Sequence, residues 1–159
     1  MKPLLILGLG NPLQGDDGVG CRVVEALEAG AVALPDDVEV MDGGTPGIGL
    51  LNLLQGRERA IIIDAAEMGC APGEFRRFQA DEVVLTGAAQ RLSLHRSGIA
   101  DALALARQLS IELPEIVFFG VQPARVEWCE ALSPPVQAAV PRVIQAVLDE
   151  LAQRIRSEG

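Results

Sequence analysis

Leu4-Leu5-Ile6-Leu7-Gly8-Leu9-Gly10-Asn11-Pro12-Leu13-Gln14-Gly15-Asp16-Asp17-Gly18-Val19-Gly20 is the stretch from which the fold can be read. Leu4 to Leu7 is a continuous apolar run that stops at a Gly-Leu-Gly turn. Helical spacing then begins near Gly18, with Val19, Val23, Ala26 and Leu27 on one stripe. Strand, glycine turn and helix in succession open an α/β unit. Pro3 stands just ahead of the strand, where a missing N–H is tolerated. One lysine and no small-residue cleavage site make this segment a first strand in preference to a signal peptide.

The same alternation continues outward. Val38 to Met41 is strand-like and meets a turn at Asp42-Gly43-Gly44, and a short helix over Leu50 to Leu54 leads to Ala60-Ile61-Ile62-Ile63, closed by Asp64. Four apolar residues in a row suit a strand buried on both faces, as in the centre of a parallel sheet. Glu74 to Phe78 and Val83 to Leu85 read as short strands. Ser97 is placed to cap a helix to about Leu109, with Ile99, Ala102, Leu103 and Ala106 facing inward. Glu115 to Val121 is another buried strand. Ser133-Pro134 starts a terminal helix whose stripe runs from Val136 to Ile155, with Pro141 expected to kink or restart it. The expected fold is α/β: one domain over residues 1–159, a mainly parallel twisted sheet of about five strands, and helices on both faces.

The chain has 159 residues and a net charge of −9, from 13 basic and 22 acidic side chains. An acidic shell repels phosphate backbones, so nucleic acid is not an expected partner. No apolar run approaches the roughly 20 residues of a membrane span. Cys21, Cys70 and Cys129 are odd in number and form no C-x-x-C pair, which argues against disulfides and thiolate zinc and for a cytoplasmic protein with small buried cysteines.

In open α/β sheets sites form where strands end, and here two of four strand ends, Asp42 and Asp64, carry a carboxylate. The glycine turn first suggests a dinucleotide loop. Leu13 replaces its third glycine, however, and Asp16-Asp17 would set two negative charges where a pyrophosphate must sit. Gly8 to Pro12 also resembles the opening of peptidyl-tRNA hydrolases, but those have a catalytic histidine in the following loop and a basic surface. Read singly, Asp16 is a helix cap that Asn could replace, and Asp42 is a turn residue bonded into Gly43-Gly44. Asp64 closes an apolar strand, where an ionised carboxylate needs a partner or a metal. His95 is the one histidine in the chain, ahead of a loop-to-helix junction. Two carboxylates and an imidazole suit a metal with open positions, although spacing alone leaves ordinary capping and surface roles beside that reading.

The ordered set Gly10-Asn11, Asp16-Asp17-Gly18-Val19-Gly20, Asp42-Gly43-Gly44-Thr45, Asp64-Ala65, His95-x-x-Gly98, Gly120-Val121-Gln122-Pro123 and Leu132 to Val136 resembles the nickel–iron hydrogenase maturation endopeptidases over nearly the whole chain. That resemblance implies a phosphorylase/hydrolase-like sheet and an aspartic-type endopeptidase. Its substrate would be the nickel-loaded precursor of a hydrogenase large subunit, from which it trims a C-terminal extension. It further implies that Asp17, Asp64 and His95 form the catalytic and metal-binding set, with nickel supplied by the precursor. Asp17 stands where some members have Glu. A non-proteolytic, nickel-dependent chaperone for the precursor is the alternative from a different class.

Overall fold

A computed structural model describes residues 1–30, 32–80, 82 and 98–158. The strands are β1 (Leu4–Leu9), β2 (Val38–Gly44), β3 (Arg59–Ala65), β4 (Phe75–Gln79) and β5 (Glu115–Val121), in the spatial order β2-β1-β3-β5-β4. The first four of that order are parallel neighbours, and β4 adds to β5 antiparallel at the edge. The helices are α1 (Val19–Glu28), α2 (Leu50–Leu54), α3 (Ile99–Gln108) and α4 (Pro134–Glu158). The expected sheet of about five strands is therefore the sheet observed. Val83 to Leu85, Ser97 and His95 fall outside the described residues.

Alternation within β1 sorts the helices onto two faces. Leu5, Leu7 and Leu9 point into a core shared with α2 and α3, whereas Leu4 and Ile6 point into one shared with α1 and α4. Ile99, Ala102, Leu103 and Ala106 are buried as their spacing required, and so are Val136, Val140, Val143, Val147 and Leu151. Among the described residues no helix is long and apolar enough to cross a membrane.

Three details differ from the expectation. β2 runs on to Gly44, so Asp42 lies within the strand, paired with Gly8, and not beyond it. Cys21 is buried, but Cys70 and Cys129 are half-exposed. Finally, α4 passes without interruption through Pro141. Proline in a helix interior costs about 3 kcal/mol. Each buried valine returns roughly 1.5–3 kcal/mol, and Val136, Val143 and Val147 are all fully buried around it. Pro141 is itself exposed, so water can hydrate the carbonyl whose partner it lacks.

At the edge where the parallel strands begin, Glu150 of α4 is 4 % exposed and binds Arg59 of β3 at 2.7 Å and Arg77 of β4. Removing one partner of a buried pair strands the other charge. We expect Glu150→Ala to lower unfolding stability by about 3–5 kcal/mol in urea denaturation. Because Glu150 lies at the opposite end of the sheet from the strand ends, activity per folded molecule should be unchanged.

Candidate active site

β1 is followed at once by Gly10, whose φ of +112° is a conformation that favours glycine. A side chain there is excluded by the backbone: a Cβ would lie 1.9 Å from the Asp17 carbonyl oxygen, and it would also crowd Asp64 Oδ1 at 3.3 Å. The chain then folds back through Asn11, whose carbonyl accepts from Gln14 N–H at 3.0 Å and whose side chain accepts from Leu13 N–H at 2.9 Å. A 3-10 turn over Gly15–Gly18 delivers Asp17 to the same place, and its Oδ2 accepts from Asn11 N–H at 2.9 Å.

Asp64, the penultimate residue of β3, accepts from Ala65 N–H at 2.8 Å through Oδ1. Both acids are 5 % exposed. The structure thus brings two predicted site residues, Asp17 and Asp64, to one glycine turn at the C-terminal edge of the sheet. Gly98, three residues beyond His95 in sequence, packs against Gly47 in the connection that leaves β2 at this same edge. Among the described residues no third His, Cys, Asp or Glu joins the two acids in a group that could hold a metal ion.

Asp16 is not the helix cap expected of it. Neither the 3-10 turn nor α1 has a side-chain cap. The Asp16 carboxylate is fully buried instead and turns toward the connection between β5 and α4. Its Oδ2 accepts from the backbone N–H groups of Ala124 (2.8 Å) and Arg125 (3.0 Å) and from the Ser133 hydroxyl (2.7 Å), while Oδ1 accepts from Ser133 N–H at 2.7 Å. Burial alone would raise its pKa, but the donors from Ser133, Arg125 and Ala124 together outweigh burial and hold the carboxyl below 3.8.

Sequence reasoning gave no hint of this role, because every partner is more than 100 residues away. In the sequence Gln122 likewise stands out only as part of Gly120-Val121-Gln122-Pro123. It is buried, and its Oε1 accepts from Met68 N–H at 2.7 Å while its Nε2 donates to Glu67 at 2.7 Å, which fixes the segment that follows Asp64.

Asp42 accepts from Gly44 N–H at 3.0 Å, the turn role expected of it, and also from the Cys21 thiol at 3.2 Å. Burial first, and then the Asp42 carboxylate, push the Cys21 pKa up to about 12. Cys21 is therefore a thiol at neutral pH and no nucleophile.

Residues 21–150 match the family model described as hydrogenase maturation protease. The chain is 40 % identical over 152 residues to the hydrogenase expression/formation protein HoxM of Azotobacter vinelandii, covering 95 % of this chain and 73 % of that one. It is 36 % identical over 151 residues to the hydrogenase 2 maturation protease of Escherichia coli K12, covering 94 % and 91 %. The hydrogenase maturating endopeptidase HybD from E. coli superposes with a TM-score of 0.83 at 37 % identity, over 97 % of this chain and 94 % of that one. The fold is that of a peptidase, and the chain belongs to the hydrogenase maturation protease family. That membership displaces both the peptidyl-tRNA hydrolase and the non-proteolytic chaperone readings.

Asp16→Asn leaves one acceptor oxygen for four donors. At neutral pH we expect a loss on the order of 3 kcal/mol by urea denaturation. Because the folded pKa is depressed, the stability that the carboxylate contributes is present above its unfolded value of 3.8 and disappears as pH falls through the lower folded one. The gap between wild type and variant should close below that pH. A gap that stayed constant down to pH 2 would contradict the assignment.

Proposed function

We propose that this peptidase removes the C-terminal extension of a nickel–iron hydrogenase large-subunit precursor already loaded with nickel, and that Asp17, Asp64 and His95 engage that nickel. The observation that carries the reading is the convergence of Asp17 and Asp64 on the Gly10-Asn11 turn. Two carboxylates gathered at one nearly buried turn repel each other, and a divalent cation offsets that repulsion. The pair therefore favours a substrate that carries positive charge where it docks. A neutral imidazole from His95 would add a nitrogen donor suited to nickel. Recognition of the metal would in turn fix the position of the peptide to be cut, so that an unloaded precursor is passed over. Aspartic-type chemistry, in which a carboxylate activates water, is the route consistent with a Cys21 thiol that stays protonated. Three free cysteines fit a reaction in the cytoplasm.

The test is substitution at the three positions, one at a time: Asp17→Asn, Asp64→Asn and His95→Gln. Each variant should fold and lose processing of nickel-loaded precursor by roughly 100-fold or more. Circular dichroism and intact-mass analysis of the precursor check the two halves of that statement. Undiminished processing by the Asp64 or the His95 variant would rule the mechanism out.

A further inference from the structure

Trp128 is the one tryptophan of the chain and is 76 % exposed, in a connection that is otherwise held firmly. Cys129 N–H donates to the Leu13 carbonyl at 3.0 Å, and Gly15 N–H donates to the Cys129 carbonyl at 2.7 Å. This short ladder lays the segment around Trp128 beside the loop that leads into Asp17. The Asp16 carboxylate fastens both sides of the same segment at Arg125 and Ser133, and Arg22 donates to the Glu130 carbonyl at 2.7 Å. Leu13, across the ladder, is also exposed, at 46 %. Water-facing aromatic surface on a loop this well fixed is poor packing for a free monomer and suits a binding surface, since a rigid tryptophan loses little entropy when it is covered. The flanking charge is acidic: Arg125 is paired with Glu127 at 3.5 Å, and no ion pair among the described residues neutralises Glu130.

We propose that Leu13 and Trp128 form the docking surface for the substrate, covered by an apolar segment of the large-subunit precursor that carries a basic side chain opposite Glu130. The inference rests on the precursor being the substrate. The loop that carries Leu13 runs directly into the turn that carries Asp17, so the docking surface and that acid belong to one backbone segment.

The test uses the full chain and a nickel-loaded large-subunit precursor. Trp128→Ala should raise KM about tenfold with kcat kept, and Glu130→Lys should raise KM about threefold. Leu109→Ala, an exposed apolar residue at the far end of α3, serves as control and should change neither. Biosynthetic 5-fluorotryptophan gives a single 19F resonance, which unlabelled precursor should shift or broaden. Wild-type KM in the Trp128 variant, or an unmoved resonance, would overturn the docking surface; wild-type KM in the Glu130 variant would overturn the basic partner. A perturbed resonance with no cleavage by wild type would instead count against the proposed reaction and leave the docking surface standing.

Discussion

The carbonyl oxygens of Leu9 and Ile63 occupy the space where a side chain at Gly20 would have to go: a Cβ there would lie 2.6 and 2.3 Å from them. One residue earlier on the strand, a Cβ at Gly8 would lie 2.3 Å from the Gly20 carbonyl oxygen. The start of α1 is thus pressed directly onto the ends of β1 and β3, backbone against backbone, and glycine is what permits it. This contact sets how far Asp17 stands from the end of β3, and so decides that Asp17 and Asp64 share a turn. Glycines that resemble a phosphate-binding loop in sequence serve here to bring two carboxylates together, an arrangement that would repel phosphate.

The adjacent acids divide the work. From neighbouring positions on a 3-10 turn, Asp16 faces into the protein and Asp17 faces the strand ends. Asp16 is satisfied four times over and locks the β5–α4 connection. Asp17 accepts from Asn11, and no hydrogen bond among the described residues reaches its other oxygen. A fully satisfied carboxylate makes a strut, whereas one that keeps an oxygen available can act on a substrate. The connection anchored by Asp16 also carries the exposed Trp128, so one buried side chain ties the acid turn to that segment.

The fold was legible because its signals are local. Apolar runs such as Ile61 to Ile63, glycine turns and the stripes of α3 and α4 each follow from neighbours in sequence, and the alternation of elements does the rest. The antiparallel placement of β4 and the uninterrupted course of α4 past Pro141 were not legible, since both depend on packing against distant elements. At the site, Asp64 could be singled out because a carboxylate at the end of an apolar strand is conspicuous. Asp17 and Asp16 could be told apart only by the resemblance. The true partners of Asp16, at Ala124, Arg125 and Ser133, lie across the sheet, and no pattern within a dozen residues encodes them.

The central claim is that the paired acids read a metal on the substrate before the peptide is cut. Its most direct test compares nickel-loaded and nickel-free large-subunit precursor, each incubated with the purified chain and followed by intact mass. Release of a C-terminal peptide from the loaded form alone is the predicted result. Equal trimming of both forms, or trimming of neither, would contradict the account.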